Sequence, residues 1–338
     1  MRPEDRFTRI ASTPLSRRSA LLGLGATALT AASAGRSRAA DWPTRPVTII
    51  VPYSPGGQTD GMARLASDFI SKQVGQPFIM DNRPGGSGLI GAMATFNAPA
   101  DGYTFMFGSS APIFNIPMMQ KVKYEPHDDF IPISIFGTGV QILAVRSDIP
   151  VKTLPELVAY VKERPGKLNY ATAGVSGNLN LTTNLLLQRA GMQMTAVPYK
   201  SGTPALAGFL AGDVQMYFGN STELLAQKDN KIVRFLGVST SKRIPQLPDV
   251  PAVAEFYPDF EGSSWNGFYA KKGTPPEAIA AMEKYTMAAA RDPEVIKRLD
   301  NFAIVPVGSS QDEFKAEIKK SGVRIREAMQ AAGLKIIN

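Results

Sequence analysis

The sequence predicts an α/β protein of two lobes, with mostly parallel sheets and two chain crossings between the lobes. Three observations predict it. From residue 41 onward, short β-rich runs alternate with helical periodicity, the pattern of a mostly parallel sheet covered on both faces. The apolar run at 130–146 is interrupted by Gly137, Thr138 and Gly139, which reads as one extended segment leaving a first lobe and entering a second. A Pro-rich stretch at 246–258 lacks periodicity and reads as the connector back. With 338 residues, 44% hydrophobic and 20% charged, the chain is long enough for two domain-sized cores.

The first 39 residues read as an export signal: a basic stretch, an apolar run at 20–34, then small residues that place cleavage near Ala39/Ala40. Ser16, Arg17 and Arg18 followed by Leu21 and Leu22 have the look of a twin-arginine signal, and an ordinary secretory signal with a chance Arg-Arg is the alternative. The apolar run is too short and too rich in Ala and Gly to span a bilayer, and no later run reaches about 18 apolar residues. The mature chain is therefore expected not to be membrane-embedded.

The first lobe opens with a buried strand at 47–53. Met62, Leu65, Ala66, Phe69, Ile70 and Val74 then share one helix face, with Thr59 or Asp60 placed to cap the helix start. Strands at 78–81 and 103–107, separated by a Gly-rich turn and a small-residue helix, repeat the unit. Past 130–146, Thr153 and Glu156 form a capping-box pattern for a helix at 154–162, and strands are expected at 168–172, 195–199, 214–218 and 234–238. Two tail helices start at the boxes Thr274/Glu277 and Ser310/Glu313, the second ending near Gly333, and are expected to pack on the first lobe. The predicted organisation is thus lobe one at 41–140 plus 255–338 and lobe two at 141–254.

Net charge is +8, with a pI near 9.5. Seven Arg and two acids fall in the first 39 residues, leaving 30 basic and 27 acidic residues in the rest, so the net there is +3. No Lys/Arg run interleaved with aromatics follows, which argues against nucleic-acid binding. With no cysteine, disulfides and thiol or zinc-thiolate chemistry are excluded. The single histidine, His127, lies in the polar stretch Lys123-Tyr124-Glu125-Pro126-His127-Asp128-Asp129; it is read as a solvated loop residue. One histidine supplies neither a Ser–His triad with a positioned base nor a His-based metal site. No cofactor is expected, since neither G-x-G-x-x-G after the first strand nor a P-loop occurs.

Five loops share a design in which a strand ends, a Gly/Ser/Thr-rich turn follows and a helix begins. They are Pro55-Gly56-Gly57-Gln58-Thr59-Asp60, Pro84-Gly85-Gly86-Ser87-Gly88, Gly108-Ser109-Ser110, Ala173-Gly174-Val175-Ser176-Gly177-Asn178 and Lys200-Ser201-Gly202-Thr203-Pro204. Glycine lets backbone N–H groups turn inward, Ser and Thr add hydroxyl donors, and a helix start adds partial positive charge, so such loops suit an anion. In α/β sheets they sit at the carboxyl ends of strands, where ligands bind. Such turns are also common as purely structural features. Asp60 is the acid of most interest, as a partner for a ligand's amino or hydroxyl group or as a helix cap. Trp265, Tyr199, Tyr53 and Phe218 are candidate pocket or core aromatics.

Taken together, Val51-Pro52-Tyr53-Ser54-Pro55-Gly56-Gly57-Gln58-Thr59-Asp60, Asn82-Arg83-Pro84-Gly85-Gly86-Ser87-Gly88, Ala100-Asp101-Gly102-Tyr103-Thr104, Val197-Pro198-Tyr199-Lys200-Ser201-Gly202-Thr203-Pro204-Ala205 and Leu247-Pro248-Asp249-Val250-Pro251 resemble the Bug family, periplasmic receptors of tripartite tricarboxylate transporters. The resemblance covers about residues 42–335. It implies the two-lobed type II periplasmic binding protein fold and a ligand carboxylate held in the interlobe cleft by loop amides, hydroxyls and water.

Position by position, the resemblance places a first-lobe carboxylate site at Pro55, Gly56, Gly57, Thr59 and Asp60, with Tyr53, Ser87, Ser109 and Ser110 nearby. The second-lobe counterpart falls at Thr172, Ala173, Gly174 and Asn178, helped by Tyr199, Ser201 and Gly202. Three departures bear on the far end of the ligand. Thr172-Ala173-Gly174 stands where the family usually has Ser-Ser-Gly, with Asn180 at its His position; Gly212-Asp213-Val214-Gln215 replaces Gly-x-Val-Asp; and Gly219 stands at a frequent Asp. The implied function is that of a periplasmic receptor, not an enzyme, that binds a small carboxylate and delivers it to membrane transporter subunits; a monomer is the default expectation. The alternatives are an exported hydrolase using Asp60 with a second acid, and a sensor subunit presenting ligand to a membrane kinase.

Overall fold

A computed structural model describes residues 42–331 and 333–337; the export signal read at 1–39 lies outside them. Ten strands follow in chain order: β1 (Val47–Val51), β2 (Phe78–Asn82), β3 (Thr104–Gly108), β4 (Phe130–Arg146), β5 (Asn169–Thr172), β6 (Thr195–Pro198), β7 (Met216–Asn220), β8 (Val233–Val238), β9 (Ser263–Lys271) and β10 (Ile304–Pro306). The α-helices are α1 (Gln58–Val74), α2 (Leu89–Asn97), α3 (Leu154–Lys162), α4 (Asn178–Ala190), α5 (Gly202–Ala211), α6 (Ser221–Leu224), α7 (Pro276–Ala289), α8 (Pro293–Asp300) and α9 (Gln311–Ala331).

β4 runs unbroken for 17 residues and belongs to two sheets. Residues 130–140 pair with β9, and Gly137, Thr138 and Gly139 also pair with β10. Residues 141–146 pair with β7 and β8. The first sheet has the order β2-β1-β3-β9-β4-β10, with β1 to β4 running one way and β9 and β10 against them. The second has the order β6-β5-β7-β4-β8, with β5 to β8 running together and β4 against them. Most strands of each sheet therefore run one way; β4 and β9 carry the chain between the sheets, and β10 adds a further antiparallel strand to the first.

Both faces of both sheets are covered, which is why the strands read as continuous apolar runs. Val47, Ile49 and Val51 of β1 pack with Met62, Ala66 and Ile70 of α1 and Met282 of α7. The other face of the first sheet holds Met106, Ile135, Trp265 and Tyr269 against Phe314 and Ile318 of α9. In the second sheet Leu143, Tyr170 and Phe218 pack with Leu157 of α3 and Leu186 of α4, while Ala144, Ala171 and Tyr217 pack with Phe209 of α5. Trp265 and Phe218 are thus core residues: Trp265 meets Phe314 edge-on, and Phe218 stacks on Phe260.

Local signals succeeded where side chains had no competing partner. Ser310 and Glu313 form the reciprocal box, Glu313 N–H to Ser310 Oγ at 3.2 Å and Ser310 N–H to Glu313 Oε2 at 2.7 Å. Thr153 caps α3 through Glu156 N–H at 3.3 Å. The Thr274/Glu277 box does not form: Pro275 is the N-cap, and the buried Thr274 hydroxyl makes no hydrogen bond. α1 is capped by Gly57 without a side-chain bond, not by Thr59 or Asp60.

The tail holds a third helix beyond the two expected, α8. Asp292 Oδ1 accepts from Glu294 and Val295 N–H at 3.1 and 3.0 Å, and Pro293 fills the first position. α9 does not pack on the first sheet alone; it also lies against α4 of the second, and Arg324 pairs with Glu261 at 3.5 Å. Among the described residues no helix is long and apolar enough to cross a membrane.

Candidate functional site

The parallel strands of both sheets aim their carboxyl ends at one cavity. β1 and β3 deliver Tyr53, Ser54 and Ser109 from the first sheet, together with Gly57, Gln58 and Thr59 at the start of α1. β5, β6 and β7 deliver Ala173, Gly177, Asn178, Leu179, Ser201, Gly202, Asn220 and Glu223 from the second, and Ser264 at the start of β9 closes the ring. The enclosed volume is about 50 Å³.

Three helices of 17, 13 and 10 residues, α1, α4 and α5, begin at this cavity, and none is capped by the side chain of its own N-cap residue, although the Gln58 N–H of α1 faces the Glu223 carboxylate. A helix start leaves up to four N–H donors without intrahelical partners and carries roughly half a positive charge. Gly57 and Gly177 have no side chain to offer. Ser201 is an N-cap of the favoured type, yet its hydroxyl is buried and without a hydrogen-bond partner. No Lys, Arg or His lines the cavity, so the donors it offers an anion are backbone N–H groups and neutral side chains.

The polar side chains around the cavity are held by one another. Tyr53 Oη and Ser109 Oγ lie 2.9 Å apart, and burial pushes the phenol up to about 12, so it stays protonated. Thr59 Oγ1 donates to Asn266 Oδ1 at 2.9 Å. Asn178 ties the two halves together: its Oδ1 accepts from Ser110 at 3.1 Å and Asn115 at 2.9 Å, and its Nδ2 donates to Ser264 at 3.1 Å.

Eight of the residues expected from sequence line the cavity: Tyr53, Gly57, Thr59, Ser109, Ala173, Asn178, Ser201 and Gly202. The other eight do not. Asp60 is buried, but its carboxylate accepts from Gly56 N–H at 2.9 Å, Arg64 Nε and Nη2 at 2.9 and 3.1 Å, and Asn82 Nδ2 at 2.9 Å. Burial alone would raise its carboxyl; Arg64, Gly56 and Asn82 outweigh that and hold it below the usual carboxylate value. Asp60 therefore braces the loop, including Gly56 at φ +80°, a left-handed conformation that suits glycine, and Pro55 before it.

Ser87 accepts from Ser176 N–H at 3.4 Å and packs where a side chain at Gly174 (φ +93°) would stand. Thr172 Oγ1 turns to Gly174 C=O at 3.5 Å, and Ser110 is taken by Asn178. Tyr199 points away, its ring over Gly208 and its hydroxyl 3.5 Å from Asp213. His127 is exposed, its ring against Phe114.

Sequence reasoning missed Ser54, Gln58, Gly177, Leu179, Asn220, Glu223 and Ser264 as lining residues. Ser54, Gln58 and Gly177 lay inside motifs already singled out. Asn220 and Glu223 follow β7, so carrying the carboxyl-end rule through that strand reaches them. Among the residues that depart from the family pattern, Asn180 is structural, accepting from Tyr170 Oη at 2.9 Å and donating to Val175 C=O at 2.7 Å. Gln215 accepts from Asn169 N–H at 2.9 Å, and Gly219 leaves room for the Tyr217 ring.

The family described as "Tripartite tricarboxylate transporter family receptor" (TctC) matches this chain over residues 62–334. A "UPF0065 protein in tcbD-tcbE intergenic region" of Pseudomonas sp. (strain P51) is 34% identical over 90% of this chain and 93% of its own. Protein BugT of Bordetella pertussis is 31% identical over 91% of this chain and 95% of its own. Solved structures with the same fold include R. palustris Rpa4515 with adipate, TM-score 0.84, 32% identical, covering 87% of this chain and 99% of that one. MatC (Rpa3494) from Rhodopseudomonas palustris with bound malate has TM-score 0.80 and 27% identity, covering 85% and 99%. The periplasmic binding protein BugD has TM-score 0.82 and 28% identity, covering 87% and 99%.

Proposed function

The chain belongs to the tripartite tricarboxylate transporter receptor family, a family of binding proteins and not enzymes, and on that premise we propose that it is a periplasmic receptor for a small carboxylate. The observation that carries this reading is the convergence of three helix starts whose own N-cap residues make no side-chain bond, from both sheets, on one cavity with no basic side chain. Backbone N–H groups and helix dipoles then hold the carboxylate, as at other anion sites of this kind. Rpa4515 and MatC, bound to adipate and malate, give the ligand class its precedent. Each helix terminus contributes about 0.3–1 kcal/mol and micromolar affinity needs about 8 kcal/mol, so hydrogen bonds from several loops and burial of the ligand act together.

Because donors from both sheets face the ligand, the closed arrangement binds it better than any open one, and only that difference shifts the population. The lobe boundaries proposed from sequence carry over, with the return crossing drawn at 262 and not 254, since Phe260 still packs in the second sheet's core. Export by the signal at 1–39, cleavage near Ala39/Ala40, a monomeric state and delivery to membrane transporter subunits complete the proposal. A hydrolase centred on Asp60 has no support, because its carboxylate is occupied by Arg64, Asn82 and Gly56.

The test is a thermal-shift screen of the mature protein against mono-, di- and tricarboxylates, amino acids, phosphate and neutral sugars. A ligand selective for the folded state adds about 2.7 kcal/mol at a hundredfold excess over Kd. A shift confined to carboxylates, with the ligand recovered unchanged, supports the reading; a shift with sugars or phosphate alone overturns it.

A further inference from the structure

Glu223 is the one carboxylate among the residues lining the cavity, and nothing basic lines it. It comes from α6, directly after β7, and is 7% exposed. Tyr217 Oη donates to its Oε2 at 2.8 Å and Asn220 Nδ2 to its Oε1 at 3.3 Å, and the Gln58 N–H at the start of α1 faces it across the sheets. The Tyr217 ring occupies the space a side chain at 219 would need, so Gly219 is what lets that phenol reach Glu223. Side chains at Gly57 or Gly202 would meet Glu223 as well. The acid is therefore built into the wall beside the starts of α1 and α5.

We propose that Glu223 is the charge-selecting residue of the cleft: it favours a small carboxylate whose other end is an ammonium group and disfavours a second carboxylate at that position. The inference rests on the carboxylate reading above. The cavity holds both kinds of group, the helix-start donors with the unpartnered Ser201 hydroxyl and, beside the starts of α1 and α5, the Glu223 acceptor. Three donors leave carboxylate lone pairs free, no basic side chain lines the cavity, and a cationic donor from the ligand supplies a full counter-charge. A dicarboxylate instead places like charges together in a water-poor site, which forces a proton onto one of them.

Burial holds the Glu223 carboxyl above its ordinary value, so it takes up a proton more readily than a solvated acid. The titratable group facing it is Tyr217, whose phenol burial raises well above its ordinary range and keeps neutral. α1 presents Gly57 and Gln58, and α5 presents Gly202 and Thr203, none of which titrates; Asp60, in the first turn of α1, is paired with Arg64.

The experiment measures calorimetric affinities of the full chain and of Glu223→Gln for β-alanine, 3-hydroxypropanoate and succinate. These share a carboxylate and a two-carbon spacer and differ in the far group. The expected result is that Glu223→Gln weakens β-alanine at least about tenfold, strengthens succinate about tenfold, and changes 3-hydroxypropanoate little. In the wild type, raising pH through the range where the Glu223 carboxyl loses its proton tightens β-alanine and weakens succinate, a readout that stands even if the variant fails to fold. Equal shifts for all three ligands, or pH-independent affinities, would make Glu223 a structural tie only and overturn the inference. Binding of none of the three to either protein overturns the small-carboxylate reading, and this inference with it.

Discussion

Gly57 offers the sharpest test of the α1 terminus as part of the site. Its backbone lies at φ −81° and ψ 173°, which any residue adopts. A Cβ there would sit 3.5 Å from Glu223 Oε1 and 3.5 Å from Thr203 Oγ1, ordinary contact distances, and would point into the cavity. Gly57→Ala should therefore fold normally: loss of a favourable N-cap costs about 0.5–1 kcal/mol, and reduced freedom of the unfolded chain offsets about 0.4–1 kcal/mol. Gly57→Leu adds three more carbons to a cavity of about 50 Å³, room for on the order of four water-sized spheres. The ligand carboxylate then loses the α1 terminus, worth about 0.3–1 kcal/mol for the dipole and about 1.5–3 kcal/mol for a charge-assisted bond. Affinity should fall between about 20-fold and about 1000-fold, measured by titration calorimetry with 3-hydroxypropanoate, while the ligand-free melting temperature stays within about 3 °C of wild type. Affinity like that of the wild type in a normally folded Gly57→Leu protein would refute the assignment of this terminus to the site.

Three further outcomes are expected. Ser201→Ala removes a hydroxyl with no protein partner, so melting should move by less than about 2 °C while carboxylate affinity drops about tenfold; an unchanged affinity would place the carboxylate elsewhere. Asp60→Asn should destabilise the protein at neutral pH by about 2 kcal/mol, with the Gly56 and Asn82 bonds mattering more than the pair with the half-exposed Arg64. Since the folded protein holds Asp60 below its ordinary 3.8, that contribution is full above this value and lost as pH falls through the folded value. Acid unfolding curves of wild type and variant should accordingly converge at low pH, and a constant gap would count against the brace. Asn178→Ala strands the donors of Ser110 and Asn115 and frees Ser264, so melting should fall by an amount worth about 1–3 kcal/mol and ligand-free scattering should show a larger radius of gyration. An unchanged radius would mean that this tie does not hold the sheets together in solution.

The local code of the chain was largely sufficient for the elements. Alternating apolar runs located β1 to β8 within a few residues, and reciprocal Ser/Thr–Glu spacing found the starts of α3 and α9, because such patterns reflect contacts a few residues apart. It failed where a local signal met a distant competitor. Thr274 has cap chemistry, but Pro275 takes the N-cap position. β9 and β10 were not anticipated, since their pairing with β4 spans more than 120 residues of chain and leaves little local trace.

The sequence by itself determined the α/β class, the long segment shared by two sheets, and the small-residue loops that end the strands, all consequences of periodicity and of what glycine and the hydroxyl residues permit. Only the tertiary structure decided which of those loops meet. Asp60 and Tyr199 carry the chemistry of ligand contacts, yet Arg64 and Asn82 claim the first and the surface of α5 the second. Nothing in the sequence around Glu223 singled it out. The fold buries it at the mouth of two helices because β7 ends there, Gly219 makes room for Tyr217, and the N-terminus of α1 arrives from the opposite sheet. Whether a polar side chain faces a ligand depends on which donors reach it first, and those donors come from across the fold and not from its neighbours in the chain.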